Sequence, residues 1–596
     1  MHMQRFGSLL EDELIPLLKS NHLHLLYNDP VPTYLIKNIR EYFLNRVLAF
    51  LQPVLLTREP IDITPEHNKL LLCVDLQDRA GSRHLAILNL PTENLSRFYY
   101  ADQLDQEERI VVFLDDVIKT NLDLVFKNYK VLGAWSFKIT RNADLDLEGE
   151  YKGGMARKLE KKLKLRDFGP PTRVLYEPGI PPERLDELIE RLRLRHANLV
   201  SGGHYHNLKD LATIPLPEKA IFQTENWQAR KSRNVPAESS VFDWIGEKDR
   251  LVHLPYQSYQ PVFRFFNEAA NDSDVREIYV TIYRVAADSQ ILYALMSAAK
   301  NGKKITVFVE LKARFDEANN LHWSKKMKAA GIRIIYTRAE FKVHAKIALI
   351  RRKHSGTWQN FCLLSTGNLN ENTARYYTDH FILTSDRDIA TELEKLIRYM
   401  LHANRQKEPK HPAFHKLLVS PFDLQKKFLR LIDDEIECAK QGMPSSIYIK
   451  INNLEEKELI SKLYEASDAG VDIYLLIRGI CCLVPGKQGL SERITVRRIV
   501  DRYLEHGRLF IFHNQGNPLV FAGSADWMVR NIYHRIEVCF PIEQEEMKQE
   551  IIRLINLQWD DNEKAVTIGE ELKNIPVEPK PGYKQIRSQK EIYDSL

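Results

Sequence analysis

The chain has 596 residues, 44% hydrophobic and 28% charged, with 85 basic against 80 acidic side chains and a formal net charge of +5. That length exceeds what one core serves and points to three to five domains of ordinary folded composition rather than a disordered chain. The even charge balance excludes bulk attraction to DNA, so anion binding must come from local arrangement. No apolar run of about 18 residues is long enough to span a bilayer, and residues 1–5 lead into polar sequence without a signal-peptide core.

Residues 10–55 mix apolar and charged positions at helical spacing, as in Phe43-Leu44-Asn45-Arg46-Val47-Leu48. Leu70–Val74 and His84–Leu88 read as strands. Arg157–Arg166 reads as a basic, solvated helix closed by Gly169-Pro170-Pro171. Polar, turn-rich stretches at 226–240 and 404–412 mark boundaries. The six cysteines, Cys73, Cys362, Cys438, Cys481, Cys482 and Cys539, contain no CxxC pair. The adjacent Cys481-Cys482 suits neither zinc nor an easy disulfide, so all six are expected to be buried thiols in a reducing cytoplasm.

The regions flanking the second boundary resemble each other. An apolar strand, Ile278–Tyr283, is followed by a helical stretch ending Ala298-Ala299-Lys300-Asn301-Gly302 and a second strand, Ile305–Leu311. Ile447–Asn452, a stretch ending Ala466-Ser467-Asp468-Ala469-Gly470, and Val471–Ile477 repeat that order about 169 residues later. Strand–helix–strand units favour parallel pairing under helices, hence an α/β fold.

Each half continues into a histidine motif and then a small-residue loop. Lys342-Val343-His344-Ala345-Lys346 precedes Ser365-Thr366-Gly367-Asn368, and Glu505-His506-Gly507-Arg508 precedes Gly523-Ser524-Ala525-Asp526. A carboxylate follows each loop at the same interval of 11 residues, Asp379 after Asn368 and Glu537 after Asp526. Along a strand, i and i+2 share a face, so His344 should point with Lys346 and His506 with Arg508. An imidazole beside a fixed cation suits attack on an anionic phosphorus. Asn368 or Ser524 would donate to phosphate oxygens, and Asp379 and Glu537 would each hold the far ring N–H of a histidine. A lone HxK match means little; the duplicated order carries the reading. Arg284, Arg314 and Arg478 follow strands, where ligands of open α/β sheets gather, and form a candidate multi-phosphate clamp. The sequence contains neither a P-loop nor the kinase HRD…DFG set. It also lacks a dense carboxylate cluster, so magnesium is expected to arrive on substrate phosphates.

At these residues the sequence resembles the polyphosphate kinases that work through phosphohistidine. The resemblance rests on Ile282–Ala286, Val309–Glu317, Lys342–Lys346, Ser365–Asn370, Thr373–Asp379, Asp501–His506, Ser524–Met528 and Arg535–Val538, and runs from about Leu9 to the C-terminus. It implies a mixed α+β head used for oligomer contacts over 1–230, then two phospholipase-D-like α/β domains over 231–411 and 412–596. It implies reversible transfer of the terminal phosphate of ATP to inorganic polyphosphate with Mg2+ in a cytoplasmic homo-oligomer. His344 matches the phosphorylated histidine. His506, Tyr377 and Arg478 match nucleotide-contacting residues, with Asn368, Arg375 and Arg535 in the same motifs. Arg284 and Arg314 match the magnesium–phosphate shell; a guanidinium has no lone pair for a metal, so they are expected to hold the phosphates that hold it. Lys346, Asp379 and Glu537 complete the catalytic set. The family's helical N-terminal domain, with a nucleotide-binding asparagine, has no match here, and Asn45-Arg46 lies in head-like surroundings, so impaired ATP use is expected. No nucleic-acid partner is implied, and peripheral membrane association stays open. The competing readings are a phospholipase-D-type phosphodiesterase or nuclease and a non-catalytic polyphosphate-binding protein. Against the first, HxK(x)4D enzymes carry aspartate where this chain has Arg351, and Arg508 replaces the second lysine.

Overall fold

The computed structural model describes residues 2–56, 64–101, 109–142, 169–216, 225, 227–231, 233–310, 316–337, 342–403, 411–579, 582 and 584–596. The sequence-predicted basic helix 157–166 and Arg314 lie outside the described residues. The chain divides into two compact units, 1–226 and 227–596. Among the described residues no helix is long and apolar enough to cross a membrane.

The first unit is α+β. Its strands are β1 (Leu23–Leu26), β2 (Val54–Leu56), β3 (Leu70–Gln77), β4 (Arg83–Asn89), β5 (Phe98–Ala101), β6 (Arg109–Phe113), β7 (Lys130–Arg141), β8 (Pro171–Tyr176) and β9 (Asn198–Ser201). They form a sheet β1-β6-β5 and a sheet β2-β4-β3-β7-β8-β9. The expected strands at 70–74 and 84–88 are the antiparallel pair β3–β4. The 10–55 segment is not helical throughout: β1 interrupts it, because Leu23, Leu25 and Leu26 are buried beside β6.

The second unit holds two α/β halves of the phospholipase-D-like kind. The first half contributes β10 (Arg250–Leu254), β11 (Val275–Ile282), β12 (Lys304–Val309), β13 (Arg333–Tyr336), β14 (Lys342–Val343), β15 (Lys346–His354), β16 (Thr357–Ser365) and β17 (Tyr377–Thr384). The second contributes β18 (Leu418–Ser420), β19 (Ser446–Ile451), β20 (Asp472–Ile477), β21 (Ile494–Ile499), β22 (Leu504–Glu505), β23 (Arg508–Phe512), β24 (Leu519–Gly523) and β25 (Arg535–Pro541), then β26 (Ala565–Ile568) and β27 (Asn574–Pro576). One sheet runs β10-β17-β16-β15-β11-β12-β13; the other runs β25-β24-β23-β19-β20-β21-β26-β27, with β18 on β25. The shared order makes β10 to β17 the counterparts of β18 to β25.

The parallel pairs β11–β12 and β19–β20 flank the helices Gln290–Lys300 and Lys457–Asp468. Ser289 and Glu456 cap these helices by accepting from Leu292 N and Leu459 N. Gly302 and Gly470, at φ +81° and +103°, end both in the left-handed region that glycine alone enters freely. One apolar core draws on both sheets and on helices Arg387–Ala403 and Glu545–Trp559, joining Leu349, Leu364 and Leu393 to Val538, Ile551 and Ile555.

Two short strands leave their own half. β14 pairs in parallel with β25, and β22 pairs in parallel with β17. Each half therefore completes the other's sheet.

Candidate active site

That exchange places the histidines. The register Lys342↔Arg535 and Val343↔Ile536 brings His344 level with Glu537, and Leu504↔Tyr377 and Glu505↔Thr378 brings His506 level with Asp379. Nδ1 of His344 lies 2.9 Å from Glu537, and Nδ1 of His506 lies 2.9 Å from Asp379. An ionised carboxylate only accepts, so Nδ1 carries the proton in both rings and the tautomer is set. The pairing is crossed: each histidine is held by the carboxylate of the other half.

The expectation of a continuous HxK strand is corrected. Ile536 O accepts from both His344 N and Ala345 N, so the chain breaks step there as it passes from one sheet to the other. Lys346 then turns back, its Nζ donating to His344 O, and Arg508 Nη1 does the same to His506 O at 2.8 Å. These buried side chains fix the histidine backbones; Arg508 puts positive charge beside His506, whereas burial holds the Lys346 ammonium well below its ordinary pKa despite Glu537. Arg508 is itself held by Asp526, which also accepts from Asn452 N and Nδ2.

Each carboxylate is held from behind. Glu537 accepts from Ser524 Oγ at 2.5 Å and Asn531 Nδ2 at 2.6 Å, and Asp379 accepts from Thr366 Oγ1 at 2.6 Å. Ser524 is fully buried on Glu537, which corrects its expected role as a phosphate donor. Thr366 and Ser524 occupy matching loop positions, a signal that sequence reading passed over. Gly367 is glycine because an added Cβ would overlap the Asp379 carboxylate.

Burial pushes the His344 pKa down to about 3, with Lys346 and Arg535 adding to the effect and Glu537 opposing it. Burial, Arg508 and Arg478 lower His506 likewise, against Asp379. Burial raises Glu537 and Asp379, but the paired histidines and nearby cations outweigh it and hold both carboxyls below their ordinary range. Near neutral pH the site therefore holds two neutral imidazoles on two carboxylates. Among the described residues, Nε2 of His344 makes no hydrogen bond, whereas Nε2 of His506 has Arg508 Nη1 at 3.2 Å. Tyr283 meets the His344 ring edge-on at 4.8 Å between centroids, and Tyr377 tilts over His506 at 5.0 Å. Tyr283 was not among the sequence candidates.

Of the arginines expected to form a clamp, Arg284 follows β11 and pairs with Asp316 at 2.9 Å. Arg478 follows β20, donates from Nε to Asn452 Oδ1, and opens on a cleft of about 330 Å³ whose far wall is formed by residues 499–505. Asn368 and Arg535 are half-buried and Arg375 is exposed. Among the described residues no three His, Cys, Asp or Glu side chains converge as a metal-binding group. The expectation of six buried thiols is corrected too: Cys482 is exposed and Cys481 half-buried, because they lie on the loop after β20.

Family models described as polyphosphate kinase middle domain, C-terminal domain 1 and C-terminal domain 2 match residues 36–214, 240–406 and 417–589. The chain belongs to the polyphosphate kinase family. The polyphosphate kinase of Vibrio vulnificus (strain YJ016) is 36% identical over 600 aligned residues, covering 100% of this chain and 84% of its own length. That of Escherichia coli (strain K12) is 35% identical, with 100% and 86% coverage. The crystal structure of polyphosphate kinase from Porphyromonas gingivalis aligns at a TM-score of 0.86 and 36% identity, covering 100% of this chain and 88% of that one. Membership in the polyphosphate kinase family does not favour the phosphodiesterase and binding-protein readings.

Proposed function

We propose that this polyphosphate kinase transfers the terminal phosphate of ATP reversibly to polyphosphate through a phosphoryl group on Nε2 of His344. The observation that carries the reading is that Glu537 holds the Nδ1 proton of His344 and leaves Nε2 free, in a neutral ring flanked by Lys346 and Arg535. In the forward half-reaction, Nε2 attacks the terminal phosphorus. The bond from phosphorus to the bridging oxygen breaks, and that oxygen leaves on the nucleotide diphosphate with its electron pair. The second half-reaction passes the phosphoryl group to a terminal oxygen of the polyphosphate chain. His506, oriented by Asp379, donates to the departing or attacking oxygen only once its Nε2 has taken up a proton, and Arg284 and Arg478 hold the anionic groups around it.

A resident magnesium does not fit the described residues, because Arg284 is a cation already paired with Asp316 and no carboxylate cluster is present beside it. Magnesium enters instead with the nucleotide phosphates, as part of the substrate. The family resemblance adds homo-oligomeric assembly.

The test is incubation with terminally labelled ATP or polyphosphate. Wild type should carry label that acid removes and alkali spares, and His344→Ala should carry none. Equal labelling of the variant, or acid-stable label, sinks the assignment.

A further inference from the structure

The two halves deliver their histidines by equivalent strands, but they support those strands differently. In the first half, the residue before His344 is the apolar, buried Val343, and Thr281 on β11 bonds the Ala345 carbonyl. In the second half the counterpart of Val343 is Glu505 and that of Thr281 is Lys450. Glu505 is buried and receives Lys450 Nζ at 2.5 Å, Thr378 Oγ1 at 2.9 Å, Gln558 Nε2 at 3.0 Å and Gln589 Nε2 at 2.7 Å.

Gln589 belongs to the helix Ser588–Ser595, part of the segment 560–596 that has no counterpart among the described residues of the first half. Besides Glu505 it grips the main chain just before that strand: its Oε1 accepts from Tyr503 N and its Nε2 donates to Tyr503 O, both at 2.9 Å. The helix is fixed in place independently of that contact. Asp561 accepts from Ser588 N and Oγ, Arg587 pairs with Asp501, and Ile592 is buried against Trp227, Tyr256, Tyr503 and Leu554.

We infer that Gln589, carried by the C-terminal helix and acting through Glu505, is a positioning residue for His506. One side chain ties residues 503 and 505, the two-residue strand β22 pairs directly with Asp379's strand β17, and His506 is the next residue along. A misplacement of about 1 Å at a reacting group costs about 10²-fold in rate. The inference rests on the proposed role of His506. The labelling test above addresses the transfer chemistry, whereas the test below reads the coupling of Gln589 to His506 in whichever direction turnover is followed.

The experiment is a double-mutant cycle on the full chain, measuring ADP phosphorylation from polyphosphate. Gln589→Ala should lower kcat about tenfold and leave KM for polyphosphate within about twofold, as expected for one hydrogen bond to a charged group. In a His506→Ala background the same substitution should cost less than about twofold, because its target is gone. An equal fold-loss in both backgrounds, or no loss in wild type, overturns the inference. Gln589→Glu retains the size of the side chain and supplies a second measurement. Its carboxylate faces Glu505 and Tyr503 O where the amide donated, so kcat should fall at least as far as in Gln589→Ala, and wild-type kcat in Gln589→Glu overturns the inference.

Discussion

Glu537→Gln tests the crossed pairing most directly. The carboxylate receives three donors: His344 Nδ1, Ser524 Oγ and Asn531 Nδ2. An amide of the same shape offers one accepting oxygen and an NH2 group that faces at least one of those donors. The replacement therefore leaves a buried donor unsatisfied, a cost of about 1–3 kcal/mol in stability. It also removes the group that sets the His344 tautomer. Loss of the corresponding carboxylate in the serine-protease triad costs roughly 10⁴ in turnover, so phosphoenzyme formation should fall by about two to four decades. The assay is rapid-quench labelling with polyphosphate, with circular dichroism to verify the fold. Asp379→Asn, whose carboxylate serves His506, should slow labelling of His344 by less. If Asp379→Asn slows labelling more than Glu537→Gln does, the pairing runs within each half and the reasoning from strand register fails.

Gly367→Ala drives a methyl group into the Asp379 carboxylate; it should cost about 1–3 kcal/mol and most of the turnover, and wild-type kinetics would refute the close approach. Arg284→Lys and Arg478→Lys keep the charge but lose the planar fork, so each should weaken polyphosphate binding by titration calorimetry; unchanged affinity in both returns them to surface roles. Burial holds His344, His380 and His506 neutral in the folded state. The unfolded chain then binds more protons below pH about 6.5, so stability is full above that pH and falls with acidification. At pH 5 the loss from His344 alone is about 2 kcal/mol, with His380 and His506 adding in the same direction, read as a lower urea midpoint than at pH 7; equal midpoints would show that these rings take up protons without unfolding.

Much of this architecture is legible in the sequence because strong local signals recur. The runs Ile278–Tyr283 and Ile447–Asn452, and the glycines Gly302 and Gly470 ending the helices after them, announce two related βαβ units, and both glycines need the positive φ they adopt. The order of histidine, loop and carboxylate likewise identifies the residues that meet in space. The crossing of the pairs is not legible, since it depends on two-residue strands whose pairing is set by partners 193 and 127 residues away. Ser524 was misjudged for a related reason: a hydroxyl in a small-residue loop looks like a phosphate ligand, and only burial on Glu537 shows what it serves. Cys482 gives the opposite error, an apolar-looking position left exposed by the loop after β20.

The reciprocal donation of β14 and β22 makes the second unit an intramolecular version of a domain swap. A half expressed alone would carry a histidine without its carboxylate, a carboxylate without its histidine, and an unpaired flank on β17 or β25. Its two severed needs match each other, so two copies of one half, related by a twofold axis, satisfy both at once. A gene encoding one such half could thus have built a complete site as a homodimer. Joining two such halves in one chain leaves each free to differ, with valine before His344 in one and glutamate before His506 in the other.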